Sequence, residues 1–234
     1  MRNLLLMLAL GLFVVACSKN DPVSPVDTGI KAPTRGSVFE YNGYGTNLGG
    51  VKIPGSDFTI LENVNSTGLV FGGKTGVWSF ITTEKSSGSV IDTTYACFDD
   101  KKDILLNFPD LGTDGSPLWL RLPVTTGVTA VDSSVRSDTV IGVPLTFALK
   151  AKSERTAEEA ILVGSSSIAT KKIVITVEVS VLEKGQVIDL YSFNRTIWFA
   201  PSLGIFVQRS TDAYESLFSN EDGDFAKLVS YTIP

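Results

Sequence analysis

The chain has 234 residues, with 20 Lys and Arg against 25 Asp and Glu, two cysteines and no histidine. Lack of histidine excludes Ser-His-Asp and Cys-His nucleophile activation, His general bases and every His-containing metal site. An acidic chain without a basic cluster argues against nucleic acid as a partner and against electrostatic docking on anionic lipid.

Residues 1–16 read as an export signal. Arg2 supplies a positive charge, and Leu4 to Val15 is an almost unbroken apolar run, shorter than the ~18–20 residues a membrane-spanning helix needs. Val14-Val15-Ala16-Cys17 closes that run and resembles the bacterial lipobox, in which a small residue precedes an obligatory Cys. The resemblance implies diacylglycerol on the Cys17 sulfur, cleavage before Cys17 and acylation of the new amine. Several acyl chains would hold the protein firmly, at ~0.8 kcal/mol per buried CH₂. Ser18, where Asp is absent, resembles lipoproteins forwarded to the outer membrane. With Cys17 acylated, Cys97 has no disulfide partner, and its place in an alternating run predicts a small core residue.

Residues 17–35 are expected to be a flexible tether, with Pro22, Pro25 and Pro33 spaced through polar sequence. Residues 36–234 are expected to be one β-rich domain. Short strands are predicted at 37–41, before a turn at Asn42-Gly43, then at 58–64, 68–71, 77–83, 89–98, 103–108 and 118–122. Asp99-Asp100-Lys101 and Asp114-Gly115 supply turns. Segment 148–162 has helix-like composition, but its β-branched flanks and Gly164 favour two strands with a polar turn near Glu154.

The clearest signal lies at Ile173 to Val181, where Ile173, Ile175, Val177, Val179 and Val181 share one face over nine residues. Glu183-Lys184-Gly185 then turns the chain into 187–199. There Tyr191, Phe193, Ile197 and Phe199 share a face, and Ile188 and Leu190 fall out of phase, as a bulge would cause. Arms this long predict an all-β, strongly curved antiparallel sheet, half-barrel or barrel-like, with few or no helices. After a turn at Pro201 to Gly204 come strands at 205–208 and 225–233, with a short helix expected at 212–218.

Gly68 to Thr75 matches the P-loop pattern G-x₄-G-K-[ST]. Leu-Val-Phe inside it and the alternating run after Thr75 predict a hairpin turn in its place, so no nucleotide is expected. No metal, cofactor or catalytic residue is assigned. Acidic pairs at Asp99-Asp100, Glu158-Glu159 and Glu221-Asp222 read as solvated turn residues, although a hydrolase using two carboxylates stays an alternative. Trp78, Trp119, Phe193 and Trp198 are candidates to line an apolar cavity, against the simpler expectation that they fill a core.

Ile197-Trp-Phe-Ala-Pro-Ser-Leu-Gly204 resembles an element of uncharacterised bacterial envelope proteins, Trp/Tyr-Phe-Ala-Pro-x-x-Gly, set between two late strands. Ser166 to Ile173 and Leu122 to Gly127 are similar to neighbouring parts of that family, across about residues 118–208. The resemblance implies a half-barrel like those of lipoprotein carriers and their outer-membrane receptors. The expected function is an envelope lipoprotein whose non-catalytic domain binds an apolar ligand, such as lipid, or another envelope protein. The alternatives are a surface hydrolase and a purely structural protein-contact module.

Overall fold

A computed structural model describes residues 29–113, 116–140 and 142–234. The export signal, Cys17 and the Asp114-Gly115 turn lie outside the described residues. The fold is all-β, and no helix occurs among the described residues. The first half contributes β1 (Val38–Thr46), β2 (Phe58–Phe71), β3 (Lys74–Glu84), β4 (Val90–Phe98), β5 (Ile104–Thr113) and β6 (Ser116–Leu122). The second contributes β7 (Ala130–Val140), β8 (Val143–Val163), β9 (Ser166–Glu183), β10 (Gln186–Ala200), β11 (Ile205–Thr211) and β14 (Gly223–Thr232). Two short strands, β12 (Tyr214–Glu215) and β13 (Asn220–Glu221), pair with each other.

Twelve strands form one antiparallel sheet in the order β6-β5-β4-β3-β2-β1-β14-β11-β10-β9-β8-β7. Laid flat at ~4.8 Å per strand, its edges would stand ~50 Å apart. Yet the edge strands β6 and β7 are joined by residues 123–129, a link that cannot exceed ~30 Å. The sheet therefore has to curl until its edges nearly meet. At the seam the backbone N–H of Arg121 in β6 donates to Asp132 of β7 at 2.9 Å, in place of a backbone ladder.

Alternation decides which side chains fill the interior. All five apolar positions from Ile173 to Val181 are buried, as are Phe39, Tyr41, Ile60, Val64, Ile197, Phe199, Ala226 and Leu228. The turn after Glu183 and the hairpin replacing the P-loop are both as expected, and the register of β10 slips between Val187 and Asp189. Cys97 is buried, and burial pushes its thiol pKa up.

Four expectations are corrected. Asn42-Gly43 is no turn but lies inside β1, where a side chain at Gly43 would collide with the Phe58 ring and the Phe225 carbonyl. β8 runs through Glu154 without turning and absorbs a bulge between Arg155 and Ala157, because its long pairing with β9 outweighs local preference. Segment 212–218 is not helical; Tyr214 is extended and stacks on Tyr191 and Phe193, which holds it in a strand. Residues 30–35 are packed, not free. Ile30 sits on the core, Pro33 is buried, and the Lys31 N–H donates to the Pro201 carbonyl at 3.1 Å. Gly204 permits this contact: it has φ +73°, and a Cβ there would strike the Lys31 carbonyl.

Candidate functional site

The two ends of the curled sheet are built differently. One end holds the β4–β5 turn, the 123–129 link and the β10–β11 corner. Asp103 organises it: fully buried, its carboxylate accepts from the N–H groups of Thr125 (2.8 Å) and Thr126 (3.0 Å) and from the Thr126 hydroxyl (2.7 Å). Arg155 Nη1 donates to the Val124 carbonyl at 3.2 Å and ties the link to β8. Val163 and Ile168, beside the β8–β9 turn, are buried in the same core. This end is closed, and every donor named here is spoken for.

The other end is open. A cavity of about 660 Å³ is bounded by β2–β5 on one side and by Arg195 of β10, Phe206 and Arg209 of β11 and Asp224 of β14 on the other. β4 and β10 are far apart along the sheet, so only its concave interior can bring both to one space. Arg209 Nη1 donates to Glu62 Oε1 at 2.6 Å, with side chains only 19% and 10% exposed. Tyr41 lies beside them and donates its hydroxyl to the Phe206 carbonyl at 2.8 Å.

Burial and the neighbouring Glu62 charge push the Tyr41 phenol well above its ordinary pKa, with Arg209 opposing. Burial works against the charge of Arg209, but Glu62, Tyr41 and Asp224 outweigh it and its pKa stands raised. For Arg195 burial and the adjacent Arg209 prevail over Asp224, Glu62 and Asp92, and its pKa is lowered. Guanidinium groups do not lose their proton in water's accessible range, so the opposed directions describe how well each charge is compensated.

Glu84 and Asp92 stand at the mouth of the same cavity. The hydroxyl of Ser87 donates to Glu84 at 2.7 Å and, with Ser86, lowers its pKa. Phe58, Phe80 and Phe206, with Ile60, Ile91 and Leu106, supply the apolar part of the wall. Among the described residues no group of three or more potential metal ligands comes together.

The aromatics singled out from sequence do not converge on this cavity. Trp78 packs in the core against Phe98, with ring centroids 4.9 Å apart. Trp119 packs edge-on to Phe71 and donates its indole N–H to the Gly72 carbonyl at 3.1 Å. Phe193 stacks on Tyr214, and Trp198 donates to Glu159 beneath the Lys172 ammonium. None of the four is among the residues around the open-end cavity.

Sequence reasoning missed Glu62, Arg195, Arg209 and Asp224. A signal was available in three of them. Glu62 sits between Ile60 and Val64, Arg195 between Phe193 and Ile197, and Arg209 follows Val207, each a charge placed on the inward phase of a strand. A charge at an apolar-phase position marks either a buried pair or a polar site.

No family model matches the chain, and no characterised protein matches it significantly. A solved structure from Bacteroides fragilis, described as a "putative exported protein with YmcC-like fold", overlaps 87% of this chain and 99% of its own at 10% identity and a TM-score of 0.42. That overlap is too loose to carry an inference about ligand or location.

Proposed function

We propose that the chain is a lipid-anchored lipoprotein of the bacterial envelope, held by Cys17 and sorted to the outer membrane, whose β-domain works by binding and not by catalysis. The observation that carries the binding reading is the placement of the open-end cavity. Residues 30–35 leave the domain at the closed end, beside Pro201 and Gly204, so a chain tethered through Cys17 would display the cavity away from the bilayer. With packing from Ile30 onward, about a dozen residues remain as tether, a reach of up to ~37 Å.

Of the two ligands expected from sequence, an apolar molecule finds less support than another envelope protein. The open-end cavity carries the Arg209–Glu62 ion pair, and none of the four candidate aromatics lines it. Strand β10 runs on past its pairing with β11 and exposes Val187 and Leu190, with Leu190 69% exposed. Exposed apolar side chains on a projecting strand suit contact with a protein. The alternative, a carboxylate hydrolase, draws on the presence of Glu62 and Asp224 in one cavity; commitment of Glu62 to Arg209 weighs against it as a free proton donor.

Metabolic labelling with a clickable fatty acid tests the anchor. The wild-type protein should carry label in the membrane fraction, and Cys17→Ser should carry none. Recovery of unlabelled wild type with a free amino terminus in the medium would overturn it.

A further inference from the structure

We infer that the open-end cavity is a site for an organic cation bearing N–H donors, an ammonium or a guanidinium group. This deepens the binding reading and rests on it, but not on the Cys17 anchor. Four carboxylates, Glu62, Glu84, Asp92 and Asp224, border the cavity against two guanidinium groups, so an entering anion meets a net negative wall. Glu84 and Asp92 lie at the rim, where they can steer a cation inward.

The polar atoms left without a partner point the same way. Asp224 Oδ1 is buried and accepts no hydrogen bond. Asn107 is 3% exposed and also borders the cavity, and its Oδ1 is equally unengaged. Its Nδ2 faces the Leu118 carbonyl at 3.4 Å. Arg209 Nε is a further atom of a cavity residue without a hydrogen-bond partner. Burying an acceptor unpaired is costly, so an occupant that donates is the natural complement.

Phe58, Phe80 and Phe206 give the same cavity aromatic surface, to which a cation is attracted over the ring face. A volume of about 660 Å³ falls within the ordinary range for small-molecule sites and exceeds what a single metal ion requires. No described cluster of three metal ligands competes for the role. The shared chemistry could come from a free polyamine or from a lysine side chain on a partner protein.

Calorimetry on the detergent-solubilised full chain separates the outcomes. The probes are spermidine, a lysine tripeptide blocked at both ends, its norleucine isostere, and citrate. Spermidine or the lysine peptide should bind, and the tighter of the two identifies the source, while the isostere and citrate should not. Asp224→Asn should weaken binding about tenfold and the exposed rim change Asp92→Asn about threefold. Glu178→Gln, on an exposed site in β9 away from the cavity, should change nothing. Equal binding of the isostere, preference for citrate, no heat from either cation, or equal weakening by Glu178→Gln and Asp92→Asn would overturn the inference. Every one of these leaves the fatty-acid label on Cys17 unaffected. A cavity that takes the neutral isostere would remove the cation while keeping a binding function.

Discussion

Asp103 at the closed end and Glu62 at the open end are both buried carboxylates, yet they do opposite things. Asp103 is ringed by donors from one short link, and each of those donors is engaged by its carboxylate. Glu62 answers a guanidinium from a distant strand, in a cavity where Asp224 Oδ1 and Arg209 Nε have no partner. A buried charge whose donors are all local and used up is a fastener. One held in a cavity with spare polar atoms is available to something else.

The contrast can be broken most severely at Asp103. Asp103→Ala removes three hydrogen bonds and leaves two part-buried N–H groups without their acceptor, so it should lower unfolding free energy by about 3 kcal/mol. Denaturant titration checks this, and a loss below about 1 kcal/mol would deny the fastening role. Glu62→Gln leaves Arg209 uncompensated and should cost about 2 kcal/mol, less than a fully dry pair because both side chains keep some exposure. The same titration should show it falling between Asp103→Ala and the wild type.

The smallest effect concerns Tyr41. Its folded pKa lies above the ordinary value, so above about pH 10 the unfolded chain gives up a proton that the folded chain keeps. The stabilisation is complete below that pH and declines as pH rises through and beyond it. Tyr41→Phe should cost about 1 kcal/mol at neutral pH, through loss of the bond to the Phe206 carbonyl, and should shallow the alkaline decline. Tyr191 and Tyr214, raised mainly by burial, should leave part of that decline in place. An unchanged alkaline slope in Tyr41→Phe would separate the phenol from the ion pair beside it.

The sheet was legible where local pattern and tertiary burial agree. Ile173 to Val181 alternates cleanly because one face is core for its whole length, and the bulge near Ile188 showed as a phase slip. Segment 148–162 was only half legible: its composition favours helix, and only long-range pairing with β9 keeps it straight through Glu154. The corner at Gly204 was readable as a turn, but not as the seat of residues 30–35, since that contact joins positions far apart in the chain. The open-end site was hardest. Its members come from β2, β10, β11 and β14, and no spacing in the sequence relates them. Glu62, Arg195 and Arg209 did show a charge on the inward phase of a strand, but that they share one cavity becomes readable only once the curl of the sheet is known.

The partnership of β1 with β14 imposes an order of events on biosynthesis. Val38 faces Thr232 and Thr46 faces Gly223, so the ribbon made early has no neighbour on that side until β14 has emerged. Until then each half presents an unmatched rim, β1 on one and β11 on the other, and such rims invite pairing with foreign strands. A polypeptide of this design is best kept from pairing until β14 is available and then allowed to zip shut.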